Sequence, residues 1–345
     1  MPAAAAIAGA AFAQASLPVG TALERPAVLS RNPERAVLLG AALAGRRLVA
    51  VGERGIIVLS DDGGANWRQV PVSVSVTLTA VRFADEKQGF AVGHGGTVLV
   101  TSDGGASWTR RLDGRRIAQI EADAAKASGD PTALRSAQRL QAEGPDKPLL
   151  DVLVLDAQRA VVIGAYGLVL ATEDGGQTWT SWRARVGNPK ELHLYAVRRR
   201  ADRLVIAGEQ GLVLLSLDGG RSFVRLALPY AGSFFTLELP GDGGIVVAGL
   251  RGNVWRSDDG GANWSAMASP VPVSVTASAL RADGTLVLAN QAGMVLGAKQ
   301  GALQPLAGSS LPPLNGVLPL AGNALLAVSM RGVHVLGKSP AKREP

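Results

Sequence analysis

An eight-residue turn box repeats along this chain at a nearly constant phase, and that repetition limits the fold more than any other feature. Its best copies read Ser60-Asp61-Asp62-Gly63-Gly64-Ala65-Asn66-Trp67 and Thr101-Ser102-Asp103-Gly104-Gly105-Ala106-Ser107-Trp108. Five segments carry it: 47–70, 89–111, 159–182, 203–226 and 244–267. Each opens on an apolar strand ending in glycine (LVAVG, FAVG, VVIG, LVIAG, IVVAG), followed by two variable residues and a second glycine. A second apolar strand leads into the box. Two further copies keep the strand–Gly–strand rhythm without the box, at 286–297 and 325–337, where Gly297 and Gly337 stand in the Ser/Thr place and Lys299 replaces the Asp of the sixth copy.

The residues before the variable pair are Gly52, Gly93, Gly164, Gly208, Gly249, Asn290 and Ser329, spaced by 41, 71, 44, 41, 41 and 39 residues. A period of about 40 residues is one four-stranded propeller blade. The expectation is an all-β, seven-bladed β-propeller over residues 24–337. The long step holds an insertion at 113–148 that reads as an αα-hairpin. Ile117, Ile120 and Ala124 have helical spacing over 115–127, Ser128-Gly129 breaks it, and Asp130-Pro131 opens a second helix to about Glu143. The seventh unit lacks a fourth strand, and an open edge is an aggregation hazard. RPAVLS at 25–30 is the expected N-terminal strand closing the last blade beside 333–336.

The box suits a hairpin between the third and fourth strands. Its carboxylate accepts backbone N–H groups, its glycines supply the backbone conformation, and its aromatic ring packs on the blade. Asp62, Trp67, Asp103, Trp108, Asp174, Trp179, Asp218, Phe223, Asp259 and Trp264 are therefore read as structural. These boxes resemble the Asp-box, or bacterial neuraminidase repeat, whose Asp is structural and remote from any active centre. With the Gly-x-x-Gly units at Gly52, Gly93 and Gly164, the chain is similar to the photosystem II stability/assembly factor family over residues 24–337. The resemblance implies a bacterial member that is exported, non-enzymatic and seven-bladed, and that binds a membrane or envelope protein during assembly.

In a propeller the turns between second and third strands share one face with the blade-to-blade connections, and the boxes occupy the other. The variable pairs then form a ring: Glu53-Arg54, His94-Gly95, Ala165-Tyr166, Glu209-Gln210, Leu250-Arg251, Gln291-Ala292 and Met330-Arg331. Loops carry function more often than strands. Arg54, His94, Tyr166, Gln210, Arg251 and Arg331 are the candidate partner-binding residues, the alternative being polar turn filler. Arginine suits carboxylates, so the expected ligand is an acidic or C-terminal segment of a membrane protein.

Composition narrows the other classes. The formal net charge of +7 favours anionic partners, but the arginines are dispersed, apart from Arg198-Arg199-Arg200, and no aromatic-interleaved basic run signals nucleic acid. The absence of cysteine excludes disulfides and Cys-type zinc sites. His94, His193 and His334 lack metal-ligand spacing, and no phosphate-loop or dinucleotide signature occurs, so no metal or cofactor is expected. A sialidase-like or other glycan-acting hydrolase is the alternative function. The F/Y-R-I-P sequence of sialidases is absent, only Tyr166, Tyr195 and Tyr230 are tyrosines, and Glu53 with Glu209 is the sole carboxylate pair the ring offers. Residues 3–13, AAAAIAGAAFA, resemble an export signal's apolar core and cleavage site, too short to span a bilayer. The expectation is a leader at 1–23, a periplasmic or lumen-equivalent location, a disordered tail at 338–345 and a monomer.

Overall fold

Short Val/Leu/Ile/Ala-rich runs separated by positive-φ glycines are suited to antiparallel hairpins, and the hairpins here assemble into seven sheets arranged as blades. In the computed structural model, which describes residues 21–241, 243–299, 302–306 and 311–337, the blades span residues 38–69, 78–112, 149–181, 194–225, 234–266, 275–305 and 314–336. Six have four strands in simple meander order, and the seventh has three among the described residues. The first strand of each blade touches the first strand of the next, and blade 7 touches blade 1, so these strands surround the axis. The expected leader and tail fall largely on residues 1–20 and 338–345, outside the described residues. Leu23, by contrast, is already buried in the blade 1–2 core.

Core lies in the seams between blades. The second strands are buried along nearly their whole length, as in Val49, Ala50 and Val51 or Val161, Val162 and Ile163. Such two-sided burial explains their unbroken apolar runs. Each box aromatic ring plugs the seam toward the preceding blade. Trp108 packs between blades 1 and 2, Trp179 between 2 and 3, Phe223 between 3 and 4, Trp264 between 4 and 5, and Trp67 between 7 and 1. The indole N–H groups of Trp67, Trp108, Trp179 and Trp264 donate to the second box glycine's carbonyl at 3.0–3.2 Å. The carboxylate organises the turn from within. Asp62 accepts from Ser60 Oγ at 2.8 Å, from Asn66 N at 2.9 Å and from Asn66 Nδ2 at 2.8 Å. The Asn66 N–H and amide hold its acid well below the usual carboxylate range. Asp259, in the same frame, is held at about 2, first by the Asn263 backbone N–H.

The insertion is helical as expected. Helix α1 is Gly114–Ser128, capped by the Asp113 carboxylate on the N–H groups of Arg115 and Arg116 and ended by left-handed Gly129. Helix α2 is Pro131–Glu143, with Asp130 accepting from Thr132 N. Ile117, Ala118 and Leu140 seat the hairpin on the blade 2–3 core.

Residues 25–30 do not pair with the seventh blade; this expectation is corrected. They run along the outer edge of blade 1, where Ala27 N–H donates to Val72 O at 3.0 Å. The Gln69 amide brackets Ser30 N–H and Val28 O at 2.8 and 3.1 Å. The outer strand of blade 1 is only two residues long, so Val72 and the Gln69 side chain remain open to this segment. Ring closure is face-to-face instead: Asn315 Nδ2 donates to Leu38 O at 2.9 Å, and Val328, Val333 and Trp67 share one cluster.

Candidate functional site

Glu53 N–H donates to Val37 O, His94 N–H to Thr77 O and Ala165 N–H to Pro148 O, so each turn between second and third strands lies beside the entry of its own blade's first strand. The turns and blade entries therefore share one face, and Gly96 of the blade 2 turn abuts Gly114 and Ile117 of α1 on that face. The ring expected from the sequence is present. Within it, Arg54, Tyr166, Gln210 and Arg251 adopt left-handed backbone with φ of 55, 55, 52 and 56°. Blade 2 places Gly95 there instead (φ 66°), so His94 occupies the first, not the left-handed, position of its turn. Arg331 lies in a different, tighter hairpin, its N–H donating to Ser329 Oγ at 2.9 Å. Asn290 similarly braces the blade 6 turn through its side-chain oxygen. The two blades lacking the first turn glycine thus replace it with a side-chain acceptor.

Arg54, His94, Gln210, Arg251 and Arg331 are exposed, and Tyr166 is 40% exposed. No carboxylate pairs with Arg54, Arg251 or Arg331 among the described residues. Arg331 and Arg54 lie on neighbouring blades 7 and 1, and Arg251 on blade 5. Leu250 and Met330, beside two of these arginines, are among the exposed large apolar side chains. Cation and apolar surface therefore lie side by side on blades 5 and 7. Glu53 and Glu209 lie on blades 1 and 4, and Glu209 is engaged with His193 N–H at 2.9 Å.

Two features were not anticipated from the sequence. In every first strand the register shifts once, leaving Leu39, Thr79, Leu150, Tyr195, Phe235, Thr276 and Asn315 as bulge residues near the entry. All seven line the axial cavity, because a bulge re-aims the side chain it adds. Thr79 and Thr276 donate to Leu149 O and Leu314 O of the following blades, each at 2.7 Å, tying inner strands together. Tyr195 and Phe235 form an edge-to-face pair at 5.2 Å, continued outward by His193 at 6.3 Å and Tyr166 at 4.9 Å from it. A row of rings thus joins the rim of the face to the axis. Burial, and second the Glu209 charge, pushes the Tyr195 phenol up.

Below the mouth sits a buried ion cluster. Asp151 takes Arg198 at 2.6 Å, Arg82 at 3.4 Å and Val197 N–H at 3.1 Å. Glu238 takes Arg198 at 3.5 Å and Ser278 Oγ at 3.0 Å. Burial disfavours the Arg198 charge, but the flanking Asp151 and Glu238 outweigh it and raise its affinity for the proton. The residue after each bulge is otherwise small (Gly40, Ala80, Ala196, Thr236, Ala277, Gly316) because inner strands crowd the axis; a Cβ on Gly40 would lie 3.2 Å from Ala80 Cα. Asp151 is the departure from that column.

The helical hairpin is anchored by charge as well. Arg183 reaches Glu191 at 2.8 Å and Glu121 at 3.7 Å, while Ser136 and Arg139 of α2 also bind Glu191. Burial raises the Glu121 acid. Burial alone would raise Glu191 too, but Ser136, Arg183 and Arg139 hold it low. Lys147 lies 5.4 Å over the Tyr166 ring. No group of acidic or histidine side chains able to hold a metal occurs among the described residues.

Several solved structures share this fold. YCF48 from Cyanidioschyzon merolae has a TM-score of 0.64 and 16% identity, covering 88% of this chain and 96% of its own. A structure of YCF48 bound to D1 peptide has a TM-score of 0.65 and 19% identity, covering 92% and 98%. The WD40 propeller domain of Doa1 has a TM-score of 0.63 and 11% identity, covering 93% and 98%. At such identities the likeness is one of fold. No curated protein sequence matches the chain. Residues 60–127 and 133–298, however, match the family described as photosynthesis system II assembly factor YCF48, and they include all five boxes, the left-handed turns at Gly95, Tyr166, Gln210 and Arg251, and all but the last residue of α1. This chain belongs to the photosynthesis system II assembly factor YCF48 family.

Proposed function

We propose that the protein is a non-enzymatic scaffold, acting as a monomer, that captures an extended acidic or carboxylate-terminated segment of a membrane protein while its complex is assembled. That complex is photosystem II where the organism has one. The observation that carries this reading is the set of exposed residues held left-handed on one face: Arg54, Tyr166, Gln210 and Arg251. Strained, non-glycine backbone clusters at binding and active sites, and four of the six such residues among those described fall in these equivalent turns. Arg54, Arg251 and Arg331 supply guanidinium groups, without a carboxylate partner among the described residues, for bidentate carboxylate contacts. A similar propeller, YCF48, has been solved bound to D1 peptide, which supports a peptide as ligand. The location proposed is outside the cytoplasm, on the strength of residues 3–13; no helix among the described residues is long and apolar enough to cross a membrane.

The test is affinity capture from solubilised membranes by wild type and by an Arg54→Glu/Arg251→Glu/Arg331→Glu variant. Each charge-assisted bond contributes about 1.5–3 kcal/mol, so the triple reversal is expected to abolish recovery. Capture at the wild-type level refutes the reading.

A further inference from the structure

The ion cluster and the row of rings call for an explanation that carboxylate capture does not supply. The axial cavity is about 110 Å³, of the same order as the engineered cavity of about 150 Å³ that takes up benzene. Its floor carries Arg82, Arg198 and Asp151, with the buried Glu238 behind Arg198, so each guanidinium already has an acid partner and is a weaker site for a further carboxylate than the free arginines of the ring. A neutral ring, in contrast, gains there from the Arg82 guanidinium, whose side chain is 34% exposed. One wall is aromatic. Tyr195 and Phe235 meet at 84°, His193 and Tyr195 at 81°, and Tyr166 and His193 at 68°, a run of edge-to-face contacts that another ring can extend. The Tyr195 hydroxyl has no hydrogen-bond partner among the described residues. Thr79, Thr276 and Asn315, the polar residues of the same mouth, are all committed to neighbouring strands.

We propose that the channel mouth at Tyr195 and Phe235 is a side-chain pocket that receives an aromatic residue of the captured segment, with the Tyr166–His193 end of the row guiding the chain in from the rim. This rests on the peptide-capture reading and adds a sequence preference to it. The arginines of the ring hold the segment's carboxylates, and the aromatic mouth discriminates between segments.

The probes are two short synthetic peptides of glycine, serine and glutamate ending in a free carboxylate, identical except that one position is phenylalanine or alanine. Binding is measured by fluorescence anisotropy to wild type, Tyr195→Leu, Phe235→Leu and Arg54→Glu/Arg251→Glu/Arg331→Glu, after circular dichroism has shown each to be folded. Leucine keeps the mouth filled, so these variants test the ring rather than packing alone; Tyr195→Phe separates the hydroxyl. Wild type should prefer the phenylalanine peptide by roughly tenfold, as one aromatic contact with partial burial allows. The preference should vanish in Tyr195→Leu and Phe235→Leu while the alanine peptide binds unchanged. Equal affinity of wild type for the two peptides, or a preference that survives both leucine variants, overturns the pocket and leaves carboxylate capture standing. Binding that is lost for neither peptide in the arginine variant overturns capture by those arginines and is read separately. Failure of wild type to bind either peptide overturns both.

Discussion

Glycine substitution at the left-handed turn positions separates a strained functional face from ordinary turns. Arg54, Gln210 and Arg251 have φ of 55, 52 and 56° and exposed side chains without partners among the described residues. Tyr166 is set aside, since its ring contacts to His193 and Lys147 would be lost as well. A left-handed L residue costs roughly 1–2 kcal/mol. Glycine removes that cost but returns about 0.4–1 kcal/mol through its freer unfolded chain. The net gain is about 0.5–1 kcal/mol per site. The three sites lie on blades 1, 4 and 5 and should add, for a total of roughly 1.5–3 kcal/mol. With about 300 described residues unfolding at ~2.1 cal/mol/K each, the slope is ~0.6 kcal/mol/K. The Arg54→Gly/Gln210→Gly/Arg251→Gly variant should therefore melt about 2–5 °C higher by scanning calorimetry. It should also capture acidic peptide more weakly, having lost two of three arginines. Blade 2, which already has Gly95 at this position (φ 66°), shows that the turn needs no side chain to form. An unchanged or lower melting temperature would refute the strain argument. A higher one with undiminished binding would refute the assignment of the face.

Three further outcomes follow from the seams and the axis. Trp108→Ala empties a ring that is 8% exposed and meets Phe83 edge-to-face at 6.1 Å, so a urea titration should show a loss of about 3–5 kcal/mol. Trp67→Ala, at a half-buried site, should lose less. Asp151→Ala takes the acid from Arg82 and leaves Arg198 with Glu238 alone, and should cost about 2–3 kcal/mol, below the full penalty of a buried orphan charge because Arg82 is 34% exposed; a loss under about 1 kcal/mol would mean that water already solvates the cluster. The box acids Asp62, Asp103, Asp174, Asp218 and Asp259 are all held below their ordinary value. Their folded values lie under the unfolded ones, so their contribution is complete above about pH 4 and is lost as pH falls through the folded values, about 2 for Asp259. The urea midpoint should fall across that window, and a flat midpoint would contradict it.

The blade count, phase and helical insertion were legible because each rests on local chemistry that repeats: an Asp between a hydroxyl and two N–H groups, glycines at positive φ, an Asp cap before each helix. The face and the ring of turns followed from that phase. The bulges did not, because a register shift is made between strands and leaves no residue type behind. Aligning the first strands does set a fixed apolar column (Leu38, Leu78, Leu149, Leu194, Phe234, Val275, Leu314) beside a variable one that includes Tyr195 and Phe235. That contrast was the available signal. Asp151 was visible in the same way, as a carboxylate in a column of small residues, but its partners Arg82 and Arg198 come from neighbouring blades, and spacing along one chain does not reveal them. The triplet Arg198-Arg199-Arg200 stands out in the sequence only as a basic cluster, and its spacing does not show that its first member lines the axis.

Ring closure is where local pattern misled, and it carries its own test. An unfilled fourth strand in blade 7 and an apolar hexapeptide before blade 1 suggested a shared strand. The hexapeptide binds blade 1's outer edge instead, and the residues before it strap blades 1 and 2: Leu23 packs beside Gly95, Arg110 Nη1 donates to Leu23 O at 2.6 Å, and Arg115 meets Glu24 at 3.0 Å. The outer strand of blade 7 is covered at its start by the turn Pro33–Arg35, since a Cβ on Gly332 would meet Glu34 O. The box of blade 1 reaches its far end, where Gly64 lies against Val335. Removing residues 21–30 therefore forfeits the Leu23 side chain, about 2 kcal/mol, and an exposed ion pair of under about 1 kcal/mol, but leaves the 7–1 seam whole. Such a truncation should melt a few degrees lower while keeping the wild-type radius of gyration by small-angle scattering. Expansion of the truncated chain would restore the shared-strand closure that the face-to-face seam replaces.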